Sequence, residues 1–594
     1  MVGLRSSLVS AQRFGPARFM TRTGFSARSF AFGLTLLVVS YLVIVPLITL
    51  LYASIKSTED KLPFETTATT LANYALVFSS PATPAIILNT LLFTVGSLLV
   101  GLPLAIVFAW LLERTAIPGR AWVASLILVP MTIPSLLSAI AWIQLLDPRI
   151  GWVNVALRGA LRLTGDTGPL DIYSLGGMCF VQGLRLVPSA YLMIAASFRA
   201  MDPSLEEQSA MAGQGIIQTT LRVTLPIVRP ALLAALIYYV IVVIESFDIP
   251  GLLGFTARVR VLSTAIYWAT HSEVGLPDYG LASALGSIIL AVALLLMWLY
   301  HRLTAHQERF ATITGKGYRP RQISLNRWTL PALLLCLSYI FIAVFLPFVM
   351  LLWTSVQPFY APPSMESLSR ATFDGYANIW RDSSVVRAIW NTTVLAVVTA
   401  VTTMGLSVLV SWFVVRRRHA SGGLTGYLAA LSFLPQGVPS IVIGLALIFV
   451  YVRFPIPIYG TLWIIALAMT TRYLAFSSRT TTSALIQVHG ELEEASQMSG
   501  APWLRTLRRI TMPLLAPAMV NVFFWVAVHA MQELSMALML YNPDTVVVST
   551  MIWSMWQNGR TADAAVLGVM LTFLSALLLL AGQLWSHLGR NSYR

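Results

Sequence analysis

Charge is scarce in this chain. Only 11% of its 594 residues are charged, 57% are hydrophobic, and the mean hydropathy is +0.75. That balance excludes a soluble protein, which needs far more charge on its surface. Cysteine is scarcer still. Cys179 and Cys336 are the two present, both inside apolar runs, which excludes a disulfide framework and a zinc spacing. The seven histidines (His271, His301, His306, His419, His489, His529, His587) show no metal-ligand spacing. His529 and Glu533 stand four apart and read as a structural pair, so no metal and no cofactor are expected. The phosphate loop G-x-x-x-x-G-K-[ST] is missing, since Gly315-Lys316-Gly317 lacks the upstream glycine and the hydroxyl residue. ATP hydrolysis by that route is excluded. Nucleophile elbows and dinucleotide fingerprints are missing too, leaving no case for a membrane-embedded enzyme.

What the chain does have is long apolar runs, many of about 20 residues, enough to cross a bilayer as a helix. The expectation is an all-α, polytopic membrane protein. Twelve spans are expected near 32–55, 86–112, 121–146, 173–198, 227–248, 281–303, 329–355, 389–415, 424–450, 460–480, 516–540 and 563–587. The net charge of +15 gathers in alternate loops, so it reads as a topology signal and not as a nucleic-acid footprint. The basic side holds the N-terminal arginines (Arg5, Arg13, Arg18, Arg22, Arg28), Arg114, Arg120, Arg416-Arg417-Arg418, Arg590 and Arg594. It also holds the linker residues Arg302, Arg309, Lys316, Arg319, Arg321 and Arg327. The opposite side carries balanced segments such as 56–85, with Lys56, Glu59, Asp60, Lys61 and Glu65. Both termini are then cytoplasmic. The run from Ala31 to Ala53 is too long for a signal peptide and reads as a retained first span.

A polar stretch occurs twice, Leu205 to Pro226 and Leu492 to Pro513, without a gap at a shift of 287 residues. Identical pairs are Glu206/Glu493, Glu207/Glu494, Ser209/Ser496, Met211/Met498, Gly213/Gly500, Thr219/Thr506, Arg222/Arg509, Thr224/Thr511 and Pro226/Pro513. Both copies fall on the cytoplasmic side. Each reads as a short helix with acids at its start, a glycine bend, a second short basic helix, and a proline entering the next span.

The repeat extends further. Asn89-Thr90 matches Asn391-Thr392, Trp110 matches Trp412, and Pro130, Pro134 and Ser135 match Pro435, Pro439 and Ser440. Arg185 matches Arg472, and Ser263-Thr264 matches Ser549-Thr550. The matches keep one order, so two parallel six-helix halves are expected. The divisions are a basic tail 1–31, a first half 32–303, a linker 304–328, a second half 329–587 and a tail 588–594. An extra 18 residues lie in the outer segment 147–171 of the first half.

Ionisable groups inside a bilayer are costly and usually face a partner or a cavity. Depth along the spans puts Arg185 near Glu245 and Arg472 near Glu533. Two readings follow: ion pairs Arg185–Glu245 and Arg472–Glu533 that line or brace a pathway, or Glu245 and Glu533 reaching the outer water at the span ends.

The segments Glu207-Gln-Ser-x3-Gly213-x9-Val-Thr-Leu-Pro226 and Glu494-Ala-Ser-x3-Gly500-x9-Ile-Thr-Met-Pro513 resemble the "EAA" signature of permeases in binding-protein-dependent ABC importers. Gln208 stands where that family usually has alanine. The stretches from Glu533 and from Pro457 to Trp463 resemble the iron(III) importer subgroup. The resemblance implies a fused two-unit permease in a bacterial inner membrane. It implies that Glu206, Glu207, Ser209, Gly213, Pro226, Glu493, Glu494, Ser496, Gly500 and Pro513 dock two separate ATPase subunits. It implies a periplasmic or lipid-anchored substrate-binding protein and iron(III) as cargo, with polyamine, thiamine, phosphonate or an oxyanion as alternatives. A secondary transporter of two parallel halves is the rival reading. It needs no duplicated docking loop.

Overall fold

The computed structural model describes residues 27–57, 63, 65–271, 277–304, 323–417, 422–452 and 456–591. Most of the expected basic tail 1–31, of the linker 304–328 and part of the tail 588–594 lie outside them, as do Glu59, Asp60, Lys61 and Arg418. Among the described residues the chain is helical, with two isolated backbone bridges, Lys56–Thr69 and Thr115–Ile323.

Nine helices are long and apolar enough to cross a membrane among the described residues. In the first half these are Ala27–Ser54, Thr83–Arg114, Leu175–Ala200, Ile216–Ile244 and Tyr279–Thr304. In the second they are Asn326–Ser355, Ser383–Arg416, Trp503–Gln532 and Thr561–Trp585. The span expected near 460–480 is the helix Leu462–Ile486, whose Arg472, Arg479, serines and threonines keep it below that apolarity.

The two remaining expected spans, 121–146 and 424–450, are not straight. Arg120–Thr132 meets Ser135–Leu146 at 95°, and Gly423–Gly437 meets Ser440–Tyr451 at 110°. The cause is the matched prolines. Pro134 and Pro439 have no N–H to donate and push the preceding residue out of helical geometry. A 3-10 turn, Val129–Thr132 or Leu434–Gly437, leads into each elbow.

A third bent pair was not anticipated. Asp248–Ala257 and Leu262–Thr270 meet at 81° and fill what read as an outer loop. Ile249, Leu252 and Leu253 are fully buried or nearly so. Ser535–Leu540 and Val548–Gln557 repeat the pair in the second half. The matched Asn-Thr and Ser-Thr sequences anchor it. Thr90 Oγ1 accepts from Leu262 N at 3.0 Å and Thr392 Oγ1 from Val548 N at 2.8 Å. Ser263 and Ser549 each donate at 2.7 Å to a carbonyl, of Ser246 and of Glu533.

The first helix of each half also packs across onto the other half. Ala27–Ser54 packs on the second half: Phe32 meets Phe413 edge-on at 5.2 Å, and the Tyr41 and Tyr451 hydroxyls are 3.0 Å apart. Asn326–Ser355 packs on the first half: Tyr339 lies 5.2 Å from Phe108 and donates to Leu184 O at 3.1 Å. One apolar core runs through both halves. The extra outer segment is ordered around Asn154, fully buried, whose amide donates to Leu146 O, Asp147 O and Leu170 O. Tyr360 of the second half donates to Gln144 O and Ile150 O at its base, and burial pushes that phenol up.

Candidate functional site

Each duplicated polar stretch opens with a short helix, Ser204–Met211 or Glu491–Met498. The chain then reverses at Gly213 (φ 80°) or Gly500 (φ 81°), in the left-handed region where L side chains are strained. The second short helix that the sequence suggested is not separate. It is the first turn of the following span, joined to it through a π-turn at Thr220–Thr224 or Leu507–Thr511. Pro226 and Pro513 therefore sit inside continuous helices, Ile216–Ile244 and Trp503–Gln532, and do not begin the spans. A wider turn accommodates the missing N–H and the ring without breaking the helix. The limb of the stretch is thus the span itself.

Four of the nine identities between the copies are internal fastenings. Glu206 is buried, receives Arg114 Nε at 3.1 Å and Thr224 Oγ1 at 2.7 Å, and forms an ion pair with the same guanidinium. Glu493 is buried likewise, receiving Arg416 Nε at 3.2 Å, Thr511 Oγ1 at 3.0 Å and Trp412 Nε1 at 3.1 Å. Ser209 and Thr219 hydroxyls lie 2.8 Å apart, Ser496 and Thr506 hydroxyls 2.9 Å. These bonds tie each short helix to the preceding and following spans. Sequence reading missed Arg114 and Arg416 as partners. The signal was there: Trp110 and Arg114 match Trp412 and Arg416 at the same spacing. Others are on the surface of the loops. Met211 and Met498 are 80% and 90% exposed, beside Glu494, Arg222 and Arg509, also exposed, and Glu207, half-buried. Large exposed methionines mark an adaptable protein-binding surface.

The second constellation is a cavity of about 330 Å³ between the halves. Arg185, Glu245, Arg472 and Glu533 all line it, with Asp248 and His529. The expected pairing is wrong. Arg472 pairs with Glu245 at 2.5 Å, across the halves, and Arg185 donates to Ile133 O at 3.0 Å. Glu533 instead receives Tyr473 Oη at 3.3 Å and Met536 N at 3.3 Å. Two physical reasons account for the difference. Depth along a span says nothing about which half a side chain faces. The broken helices also leave carbonyls without donors, and in a membrane those must be met internally. Arg472 Nη1 meets three of them, Pro435 O at 2.8 Å, Gln436 O at 3.1 Å and Val438 O at 3.0 Å. Arg185 serves the other elbow, helped by Gln532 Nε2 on Thr132 O at 3.1 Å. The positive guanidinium also suits the negative end of the helix it caps. Among the described residues no group of three or more His, Cys, Asp or Glu side chains could hold a metal ion.

A helical bundle with spans long enough to cross a membrane, built twice, with two exposed polar loops fastened to its spans, is the architecture of a transport subunit. Comparison with known proteins agrees. Residues 407–588 match the family described as "Binding-protein-dependent transport system inner membrane component". The chain is 24% identical over 507 residues to the "Fe(3+)-transport system permease protein FbpB 2" of Haemophilus influenzae, covering 84% of this chain and 89% of that one. It is 27% identical over 421 residues to the "Ferric transport system permease protein FbpB" of Actinobacillus pleuropneumoniae, covering 69% of this chain and 58% of that one. A shorter match, 31% over 155 residues, joins it to a "Putative 2-aminoethylphosphonate transport system permease protein PhnV" of Salmonella paratyphi A, covering 26% of this chain and 58% of the relative. Residues 407–588 thus carry the match to that inner membrane family, and over most of its length the chain is similar to permeases of binding-protein-dependent importers. In particular it resembles the iron(III) importer permeases.

Proposed function

We propose that the chain carries iron(III) inward along the interface of its two halves, 32–303 and 329–587, driven by two separate ATPase subunits. ATP is bound and hydrolysed by those subunits and not by this chain. Both termini lie in the cytoplasm, and a periplasmic or lipid-anchored binding protein delivers cargo to the opposite face. The observation that carries this reading is the pair of outward-facing loops with the same internal bonding, Glu206 to Thr224 and Glu493 to Thr511. Their methionine-tipped short helices receive the ATPases. Glu206, Ser209, Gly213, Glu493, Ser496 and Gly500 hold the shape, Glu207 and Glu494 face the partner, and Pro226 and Pro513 tie the motion to the spans. Arg185, Glu245, Arg472 and Glu533 line the path. The long ferric relatives support iron as cargo. The phosphonate relative supports a second reading, 2-aminoethylphosphonate, since the cavity offers both arginines and carboxylates. The permease relatives do not favour the secondary-transporter rival.

The test is a gentle pull-down of tagged chain from its native membrane, with wild type compared to Gly213→Pro plus Gly500→Pro, followed by uptake of labelled ferric iron and of labelled 2-aminoethylphosphonate. An ATPase that follows wild type and is lost from the double variant, with iron taken up, supports both parts. Phosphonate uptake without iron uptake overturns the cargo. No ATPase on wild type overturns the docking.

A further inference from the structure

The central cavity does not end blindly. A second cavity of about 310 Å³ adjoins it, and the two share four wall residues: Tyr238, Val242, Gln436 and Phe476. The second cavity reaches Arg479 and Ser483, which lie further along Leu462–Ile486 toward the docking loop. Arg472 to Arg479 is seven residues, about 10 Å along a helix. The second cavity is therefore on the ATPase side of the first.

The wall between them is closed by a hydrogen bond across the halves. Gln436 Nε2 of the second half donates to Tyr238 Oη of the first at 3.2 Å. Gln436 stands on the 3-10 turn before the Pro439 elbow, and its own carbonyl is held by Arg472. Arg472 in turn pairs with Glu245, on the same helix as Tyr238 and two turns further on. The helix Leu225–Ile244 with its Glu245 cap is thus fastened to the opposite elbow at two points. The second half does not reproduce this. Trp525 stands where Tyr238 does, Met131 where Gln436 does, and Gln532 where Glu245 does.

We propose that Tyr238 and Gln436 form the inner gate of the pathway, a one-sided latch that must open for cargo to pass from the central cavity to the ATPase side. Phe476 and Val242 supply the apolar part of the plug. The inference rests on the proposed pathway and names residues that control passage along it. Because the latch joins the helix that leaves the first docking loop to the elbow of the other half, movement of that loop acts on it directly.

The test uses the assembled complex in proteoliposomes, with Tyr238→Phe and Gln436→Met. Each keeps the bulk and removes the bond, and the methionine is the residue found at the matching place in the first half. Losing one neutral hydrogen bond should change ATP hydrolysis without binding protein by roughly two- to tenfold. Hydrolysis unchanged in both variants, with the complex intact, overturns the gate. A second arm covers variants that assemble poorly. Tyr238→Cys with Gln436→Cys, bridged by a short bis-thiosulfonate, should stop uptake of labelled ferric iron, and reductant should restore it. A bridge that forms without loss of uptake overturns the gate, and so does failure of the bridge to form. A wild-type chain that takes up iron with no ATPase present overturns the docking reading instead, and the bridging arm still reports on the gate.

Discussion

Asp248 and Ser535 hold the same place in the two halves, 287 positions apart, and they touch: Ser535 Oγ donates to Asp248 Oδ1 at 3.4 Å. Two repeat mates can meet only near the axis that relates the repeats. The central cavity therefore lies near that axis, and matched positions of both halves line it. The symmetry is broken in chemistry. Glu245 corresponds to Gln532, Ser246 to Glu533 and Asp248 to Ser535. Three carboxylates thus enter the cavity from unmatched positions, against two matched arginines. A fused chain can hold such differences, which two identical subunits could not.

The ion pair across the halves makes the first prediction. Arg472 with Glu245 should show a coupling of about 0.5–3 kcal/mol in a double-mutant cycle on thermal unfolding, the range for residues in contact. Arg185 with Glu245, the pairing that span depth favoured, should show none. Glu245→Gln alone should be tolerated better than Arg472→Gln, because Arg472 also serves three carbonyls. A larger coupling for Arg185 would mean that the two halves meet in a different register.

Adjacent acids in the docking loop should separate into two kinds. Glu493 is 4% exposed and bonded to Arg416, Trp412 and Thr511. Glu493→Gln removes a buried charge from its partner, a change that can cost about 3–5 kcal/mol. It should lower the melting temperature and the yield of folded chain. Glu494 is exposed, so Glu494→Ala should leave melting unchanged and weaken ATPase capture alone. Thermal melts beside pull-downs check both. Equal melting losses would remove the distinction.

The matched threonines behind the bent helix pairs give a third outcome. Thr392→Val takes the acceptor from Val548 N–H, and Thr90→Val takes it from Leu262 N–H. Losing a helix N-terminal acceptor costs about 1 kcal/mol. Each should lower the melting temperature modestly, with Ser substitutions recovering most of it. Valine variants that melt like wild type would show that these helices find another acceptor.

Much of this architecture was legible in the sequence. Apolar run length placed ten of the twelve expected spans as helices, and the gap-free repeat located both polar loops. What escaped was set by backbone demands that hydropathy does not register. Pro134 and Pro439 were visible, but the run around each is apolar throughout, so nothing in it announced a right-angled elbow. Once the elbow exists, its carbonyls claim Arg185 and Arg472, and the carboxylates are left to find other partners. The helices from Asp248 to Thr270 escaped for a related reason. Each is too short to cross a bilayer, and Pro250, Gly251 and Gly254 in the first read as loop. Arg114 and Arg416 were counted as topology signals, and their second role needed the fold to bring Glu206 and Glu493 beneath them.

The glycine bend gives the last prediction. At Gly213 and Gly500 an added Cβ meets nothing within 4 Å, so any cost of substitution comes from the backbone alone, at φ of 80° and 81°. An L side chain in that region costs roughly 1–2 kcal/mol, least for Asn, which bonds locally, and most for a β-branched residue. Capture of the ATPase by Gly500 variants should therefore fall in the order Gly, Asn, Ala, Val, with little change in the melting of the spans. Gly213 variants should follow the same order. The two bends lie in different halves and share no partner, so the double alanine variant should lose about the sum of the two in free energy. Pull-down yields across the series, read against thermal melts, decide it. If valine captures as well as alanine, the bend is relaxing into another conformation, and the reversal of the chain at these glycines is not what presents the methionines to the partner.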